Sequence, residues 1–373
     1  MDLELSQEQQ MIKDMARSLF EEHSGVDVVR QLEDDPRGYS ESLWKEMAQS
    51  GLTGLTIPAE FGGGGQSTLE AALVYEEIGR SLASVPHFVS AVMGAGLLVE
   101  AGSDEQKKQW LPRIAAGEAI LTPAWLEPER GFGPVGVQLE ARADGEDFIL
   151  SGVKQHVYFG SSADRLVVLA RTGPDSIDLF LVDPQSPGVS MKQLLSQASD
   201  AQYRVTFDGV RVRAADRVGA AGAGWEIFSS VMHDGIILLA AQAVGGAQQA
   251  LDVTAEYARV RTQFDKPLAA FQALAHYMAD ASTNIDGGRT LVYEAAWNRA
   301  QGRSIARLAP MAKLFCCETY SSVTRMCEQM WGGVGFTLEY DVQLYFRRAK
   351  QLELSWWDTP FLEELVAADA LDS

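Results

Sequence analysis

The chain has 373 residues, of which 46% are hydrophobic and 22% are charged, a balance typical of a soluble globular protein. Its net charge of −20 disfavours binding to nucleic acid, because no run of basic residues offsets the repulsion from phosphates. The length is sufficient for two or three domains with a sizeable buried core.

The beginning of the chain is acidic and polar, so no secretory signal is expected there. No apolar run is judged long enough to span a bilayer, so no membrane association is expected. The three cysteines are Cys316, Cys317 and Cys327. The two neighbours point in different directions on a helix, which suits neither a disulfide nor a zinc site. These features predict a reduced cytoplasmic protein without a metal centre.

Residues 1–120 are predicted to form a helical domain. An apolar stripe at helical spacing, built from Leu43, Trp44, Met47 and Ala48, is followed by Gly51, which is placed to end that helix. A glycine-rich loop over residues 57–65 interrupts the pattern. Helical spacing resumes from Ser67 to Arg80 and again before Gly117.

Residues 121–220 have a different pattern, in which apolar and polar residues alternate over short runs. These runs lie at residues 148–152, 165–170, 179–182 and 203–207. Turn residues separate them, which predicts a small β-barrel or sandwich. Because strands and helices do not alternate, a doubly wound nucleotide-binding fold is disfavoured.

Residues 221–373 return to helical spacing and are predicted to form a helical bundle. One face carries mainly small residues, including Ala247, Ala250 and Ala258, which permits close packing between helices.

Two motifs in this last segment combine an arginine with a glycine-rich turn. The first is Arg261-Thr262-Gln263-Phe264, followed by Phe271-Gln272, and the second runs from Gln329 to Phe336. A guanidinium can donate two parallel hydrogen bonds to a phosphate. Gly332 and Gly333 let the backbone approach phosphate or ribose oxygens closely. The pair of motifs is therefore suited to a pyrophosphate and its nucleotide.

The order of helices, strands and bundle, together with these motifs, resembles the acyl-CoA dehydrogenase family over nearly the whole chain. Further matching segments are Leu5 to Gln9, Gly51 to Leu55, Ile57 to Gly65, Glu76 to Arg80 and Leu111 to Glu118. The resemblance implies an acyl-CoA dehydrogenase-like fold with an N-terminal α-helical domain (1–120), a middle β-barrel domain (121–220) and a C-terminal four-helix bundle (221–373). It also implies FAD between barrel and bundle, with a thioester substrate along the flavin.

The resemblance assigns cofactor contacts to Arg261, Gln263, Phe264, Phe271, Gln272, Gln329, Gly332 and Gly333. In the family, this half of the flavin site serves the neighbouring subunit. Asp265 stands where the family has a glycine, which introduces a negative charge into the turn.

The other half of the family's flavin site departs from the pattern. The family carries Thr-Glu-Pro and then Gly-Ser-Asp, whereas this chain has Leu126-Glu127-Pro128 after Trp125 and no Gly-Ser-Asp. On a second strand, His156-Val157-Tyr158 replaces the family's Trp-Ile-Thr. His156 could donate a hydrogen bond to a flavin, or it could simply cap the barrel.

The catalytic base of the family also has no counterpart at its expected position. The reaction removes a proton alpha to a thioester carbonyl, for which a desolvated glutamate is suited. The resemblance places that glutamate at Trp356, or at Trp357 with one insertion. Asp358 follows, either as a shifted base or as a helix cap. An alternative family position for the base matches Gly235, beside Asp234.

These features lead to the hypothesis of a supporting subunit that completes the FAD site of a homologous partner. Such heterotetramers act in bacterial breakdown of steroid side chains, and by resemblance an acyl-CoA is the substrate and an electron-transferring flavoprotein the electron acceptor. Trp356 and Trp357 would fill the space of a substrate. Two alternatives remain open: a homo-oligomeric acyl-CoA dehydrogenase with a relocated base, Asp358 or Asp234, and a non-redox scaffold that binds acyl thioesters. No residue in the sequence favours a different flavin reaction on the same fold, such as hydroxylation.

Overall fold

A computed structural model describes residues 4–372. Its helices are α1 (Gln7–His23), α2 (Val26–Gln31), α3 (Glu41–Gln49), α4 (Thr68–Arg80), α5 (Ala95–Ala101), α6 (Asp104–Ala115), α7 (Gly224–Val260), α8 (Gln272–Ala300), α9 (Leu308–Trp331), α10 (Val342–Leu354) and α11 (Thr359–Asp372). Its strands are β1 (Leu121–Ala124), β2 (Glu140–Asp144), β3 (Asp147–Tyr158), β4 (Arg165–Gly173), β5 (Ser176–Val182), β6 (Val189–Leu194), β7 (Gln202–Val212), β8 (Arg217–Val218), β9 (Thr262–Gln263) and β10 (Lys266–Pro267). The predicted succession of helices, strands and helices is confirmed.

Capping residues set the beginnings of the early helices. Ser67 accepts a hydrogen bond from the first turn of α4, and Glu70 bonds back to the Ser67 backbone, which forms a capping box. The helix predicted from Ser67 to Arg80 is therefore confirmed. After α3, Gly51 adopts a left-handed conformation with φ of 74°, as expected for a glycine that follows a helix end.

Eight strands form one sheet in the order β6-β7-β3-β2-β4-β5-β8, and β1 pairs in parallel with β4. The long antiparallel pair β3–β7 contains two register shifts, one of them between Lys154 and Val157. Such bulges bend a strand and redirect its side chains. The four runs of alternating residues all lie within strands of this sheet, at β3, β4, β5 and β7.

The described residues divide into two compact units. The unit called here the bundle unit comprises residues 4–30, 67–83 and 236–372, and the sheet unit comprises residues 31–66 and 84–235. The bundle unit thus contains α1 and α4 from the amino-terminal segment as well as α8 to α11. The division of the chain into three consecutive domains stays a prediction.

Ion pairs and close backbone contacts hold α4 inside the bundle unit. The Arg17 guanidinium donates two hydrogen bonds to Glu77, and Lys13 pairs with Glu76 at 2.7 Å. On α7, a Cβ atom at Gly245 would lie 1.8 Å from the backbone oxygen of Glu76. Only glycine lets α4 and α7 approach this closely.

Helix α7 is long and apolar enough to cross a membrane by length and composition, which corrects the expectation that no segment qualifies. However, 67% of its most apolar window is buried inside the protein. A mostly buried apolar helix is typical of a protein core. The small side chains of Ala247, Ala250 and Ala258 on its predicted packing face are fully buried.

Candidate functional site

A short hairpin follows α7 and presents an exposed aromatic side chain. Strands β9 and β10 pair across Phe264 and Asp265, which both adopt left-handed conformations, with φ of 53° and 63°. Two-residue hairpin turns favour this geometry, although glycine or asparagine is the usual occupant. The Phe264 ring is 86% exposed and meets Phe271 edge-on, and Lys266 lies 4.2 Å above the Phe271 ring.

Arg261 combines a fixed backbone with an exposed guanidinium. Its N–H donates to the Tyr257 carbonyl at 2.8 Å, and its carbonyl accepts from Leu268 at 2.9 Å. Among residues 4–372 the guanidinium forms no ion pair, whereas nearby Arg259 is paired with Glu256. An unpaired, anchored guanidinium is suited to a phosphate group.

The glycine-rich turn begins where α9 ends. Gly332 has φ of 69° and ψ of −147°, a region of backbone conformation that is nearly restricted to glycine. A Cβ atom at Gly332 or Gly333 would meet nothing within 4 Å, so the backbone there is open to a ligand. Gln329, on the last turn of α9, is exposed as well.

The remaining predicted cofactor residues lie in the same unit. Gln272 is exposed at the first position of α8, Phe271 is half-buried, and the Gln263 amide donates to the Thr262 carbonyl at 2.8 Å. A free guanidinium, exposed amides, open glycine backbone and an exposed ring together fit the diphosphate and nucleotide of a dinucleotide cofactor.

A buried carboxyl lies beside this turn and was not singled out in the sequence. Glu328 is 3% exposed, and its backbone oxygen accepts the hydrogen bond from the Gly332 N–H. Burial raises the pKa of its carboxyl to about 7. The residue directly before Gln329 is therefore largely neutral below that pH.

The turn between α10 and α11 holds buried indoles at the two positions where resemblance places the base. Trp356 and Trp357 both have positive φ, of 56° and 73°, and they are 6% and 0% exposed. The Lys313 ammonium, fully buried, donates to the carbonyls of Leu352 at 3.2 Å and Trp357 at 2.8 Å. Burial lowers the pKa of Lys313.

The two candidate carboxylates lie in different environments. Asp358 Oδ1 accepts a hydrogen bond from the Phe361 N–H at 3.1 Å, so Asp358 caps the beginning of α11. Asp234 lies on α7 next to Gly235, whose Cα hydrogens face the Phe88 ring and the Met93 sulfur. The hydrogen bond from Phe361 agrees with the interpretation of Asp358 as a helix cap. A role as the catalytic base stays a prediction for both Asp358 and Asp234.

In the sheet unit, an aromatic cluster occupies the segment where the resemblance expects a flavin-contacting hydroxyl residue. Trp125 is 6% exposed and packs against Phe132 at 5.8 Å and Phe228 at 5.1 Å between ring centroids. Trp225 extends the cluster at 5.9 Å from Phe228. Bulky rings therefore fill the space around Trp125.

A buried ion pair fixes the loop that follows Trp125. Lys154 donates to Glu127 Oε1 at 2.7 Å and to the Trp125 carbonyl at 3.1 Å. The same carboxylate oxygen accepts the N–H groups of Gln138 and Leu139 at 2.8 Å. Burial lowers the pKa of Lys154 to about 8, although Glu127 opposes this effect.

His156 lies at the bulge in β3 with φ of 54°, and its side chain is exposed. Its Nδ1 is 2.6 Å from Gln202 Oε1, so the imidazole is held by β7. The geometry allows both proposed roles, a hydrogen-bond donor to a ligand and a cap on the sheet.

Sequence reasoning missed three residues that organise these turns: Lys313, Thr254 and Tyr257. The only signal for Lys313 is a single lysine within the apolar run 308–315. Tyr257 stacks on Trp331 with centroids 4.1 Å apart and planes within 9°, and Trp331 Nε1 donates to Thr254 Oγ1 at 3.0 Å. These contacts place Arg261 and the glycine-rich turn at the same end of α7.

Comparison with known families covers almost the entire chain. Family models of the acyl-CoA dehydrogenase N-terminal, middle and C-terminal domains match residues 6–118, 123–210 and 222–355. The chain belongs to the acyl-CoA dehydrogenase family. Members of this family are flavoproteins that use FAD, so the FAD cofactor and the oxidoreductase class are established at this level.

Individual relatives extend the comparison over full-length chains. A probable acyl-CoA dehydrogenase of Bacillus subtilis, YngJ, is 31% identical over 381 residues, which cover 100% of both chains. The ChsE4-ChsE5 complex from Mycobacterium tuberculosis contains a chain that is 28% identical, with a TM-score of 0.91 and 100% of both chains covered. A chain of the Tcur3481-Tcur3483 steroid acyl-CoA dehydrogenase variant is 31% identical, with a TM-score of 0.87 and coverage of 97% and 98%.

Proposed function

We propose that this chain is the FAD-completing subunit of a heteromeric acyl-CoA dehydrogenase and that its partner supplies the catalytic base. One observation carries the proposal: the chain joins an unpaired Arg261 and an open glycine-rich turn to an α10–α11 turn filled by Trp356 and Trp357. Arg261 and the glycine-rich turn can hold a diphosphate. The indoles of Trp356 and Trp357 cannot accept a proton, so they cannot act as the base.

The surface around the arginine supports an assembly with another subunit. Five large apolar side chains near the ends of α7 and α9 are between 41% and 86% exposed: Val260, Phe264, Phe336, Leu338 and Tyr340. Grouped exposed apolar residues are characteristic of surfaces that another protein covers. The first half of α8 is also largely exposed, including Tyr277 at 60%.

In this proposal the chain contributes binding and positioning. Bound FAD supplies the acceptor for the hydride that leaves the beta carbon of the acyl thioester. Arg261 would neutralise diphosphate charge, and the open backbone at Gly332 and Gly333, including the Gly333 N–H, would approach phosphate or ribose oxygens. The proton alpha to the thioester carbonyl would pass to a carboxylate of the partner, since the buried indoles here provide no acceptor.

Two solved relatives support the heteromeric arrangement, because each is a complex of two differently named chains. One of them is described as a steroid acyl-CoA dehydrogenase, so we propose a steroid-derived acyl-CoA as the substrate class. An electron-transferring flavoprotein as acceptor and a cytoplasmic location complete the proposal.

The test is to purify the chain alone and together with a homologous subunit from the same genome, and to measure mass, flavin content and thioester oxidation. We expect little flavin and no oxidation from the chain alone, and one FAD per pair of subunits in the complex. Arg261→Gln should strip flavin from the complex, whereas Arg259→Gln should not, because Arg259 is already paired with Glu256.

Full flavin occupancy and thioester oxidation by the chain alone would contradict the proposal. Asp358→Asn and Asp234→Asn would then identify which carboxylate is the base. A complex that stays colourless with every homologous subunit would instead favour the non-redox scaffold.

A further inference from the structure

Three side chains connect the end of α7 with the end of α9. Tyr257 and Trp331 stack face to face at 4.1 Å, and Trp331 Nε1 donates to Thr254 Oγ1 at 3.0 Å. Tyr340 packs against Trp331 in a T-shaped arrangement, with ring centroids 5.6 Å apart. Thr254, Tyr257 and Trp331 are called the brace below.

Both arms of the candidate nucleotide site are attached directly to the brace. The Tyr257 carbonyl accepts the N–H of Arg261 at 2.8 Å, which fixes the arginine arm. Trp331 precedes Gly332, so the indole fixes the first residue of the glycine-rich turn. Tyr257 therefore contacts the arginine arm through its backbone and the glycine arm through its ring.

The base of the brace is buried. Thr254 is 0% exposed, and Cys327 on α9 is fully buried as well. The Cys327 thiol in turn lies 3.3 Å from the Ala250 carbonyl on α7. A hydrogen bond sheltered from water holds a single geometry more strictly than an exposed one.

We propose that the brace sets the spacing between Arg261 and the glycine-rich turn, so that Thr254, Tyr257 and Trp331 are positioning residues for the diphosphate of FAD. This inference rests on the proposed function, in which these two arms hold the nucleotide part of the cofactor. A displacement of about 1 Å between the arms would misalign the forked hydrogen bonds of the guanidinium with the phosphate.

The test measures FAD affinity in the flavin-stripped complex by titration with FAD, using flavin fluorescence. Thr254→Val and Trp331→Phe remove the acceptor and the donor of the same hydrogen bond, and each should weaken FAD binding about tenfold. Trp331→Leu also removes the stacked ring and should weaken binding about a hundredfold. Thr290→Val is the matched control: it lies on α8 outside the brace, where its hydroxyl bonds only within the helix to the Asp286 carbonyl, and affinity should stay within about twofold.

A merely structural brace would change stability and leave affinity alone. The melting temperature of each flavin-free variant is therefore measured beside its affinity, and ADP serves as a second probe that lacks the flavin ring. We expect ADP binding to weaken by factors similar to those for FAD. If Trp331→Leu does not fold, Thr254→Val carries the test, because valine has nearly the same shape as threonine.

Arg261→Gln separates failure of this inference from failure of the proposed function. If Arg261→Gln leaves FAD binding unchanged, the proposed half-site is wrong. If Arg261→Gln weakens binding but Thr254→Val and Trp331→Leu do not, the half-site stands and the brace inference is overturned. In the double variant Arg261→Gln with Trp331→Leu, the loss should be smaller than the product of the single losses, because both act on the same contact. A multiplicative loss would also overturn the inference.

Discussion

Two turns end successive helices of the bundle unit in opposite ways. After α9, the chain reverses through Gly332 and Gly333, and no atom stands where their side chains would be. After α10, it reverses through Trp356 and Trp357, and both indoles are buried. Both turns require a positive φ, at Gly332 in the first and at Trp356 and Trp357 in the second, but only the first leaves room beside the backbone.

The difference teaches how one backbone requirement can produce either a site or a closed core. Glycine adopts a positive φ without strain, so the open turn needs no compensating contacts. A tryptophan with positive φ costs about 1–3 kcal/mol, which burial of the ring can offset. Buried Lys313 adds hydrogen bonds to the closed turn at two carbonyls. The open turn can serve a ligand, whereas the closed turn serves stability.

The largest expected effect is on the closed turn. Trp357→Ala should lower the free energy of unfolding by about 3–5 kcal/mol, because it removes a fully buried ring and leaves a cavity. Denaturation by urea measures this loss. Trp357→Phe is the matched control and should cost less, since a ring still fills most of the space. A loss below about 1 kcal/mol for the alanine variant would show that the turn is not closed by its indole.

The next effect concerns the buried carboxyl beside the open turn. The pKa of Glu328 is raised from 4.5 to about 7, so the folded chain binds its proton at pH values where the unfolded chain has released it. Stability therefore falls as pH rises between these two values. Glu328→Gln should recover about 2–3 kcal/mol above pH 7 and almost nothing near pH 4. Unfolding at both pH values checks this, and an equal gain at both would contradict it.

A smaller loss is expected when the ammonium that holds the closed turn is removed. Lys313→Met keeps the length of the side chain but leaves two buried carbonyls without their donor, which should cost about 2 kcal/mol. Lys350→Met is the control, because Lys350 lies on the surface, where it pairs with Glu353. Its effect should stay within about 0.5 kcal/mol in thermal unfolding. If the two variants lose equal stability, the hydrogen bonds of Lys313 to the closed turn do not stabilise the fold as proposed.

The smallest effect distinguishes the two glycines of the open turn. Gly332→Ala places a side chain at φ of 69° and should cost about 1–2 kcal/mol. Gly333→Ala meets no neighbouring atom, and Gly333 does not have a positive φ, so its stability should change little. Comparison of the two melting temperatures measures the strain alone. A Gly333→Ala variant less stable than Gly332→Ala would contradict the described turn.

Much of the fold follows from local sequence signals. Ser67 with Glu70 marks the beginning of α4, and alternation of apolar residues marks β4 and β5. Strand β2 shows no alternation of apolar and polar residues, because Ala141 is its only buried residue. It is a strand because its backbone pairs with β3. The place of α1 and α4 in the bundle unit was likewise hidden, since it depends on contacts between distant segments.

The candidate site divides in the same way. Arg261, Gln329 and the glycine pair were predicted because they belong to contiguous motifs. Thr254 and Lys313 were not predicted, because their partners lie 77 and 44 residues away along the chain. The roles assigned to Asp358, Asp234 and the cofactor residues stay predictions until the variants are measured.

The three cysteines make the chain convenient for site-specific labelling. Cys316, Cys317 and Cys327 are all buried, and burial raises the pKa of each thiol. The thiolate is the nucleophile that attacks thiol reagents, and it must be exposed to reach them, so the native cysteines should react slowly at neutral pH. A single cysteine introduced at Phe264, the exposed tip of the hairpin, would then be the main attachment point for a dye or spin label. Such a probe could report in real time when a second polypeptide binds at the hairpin.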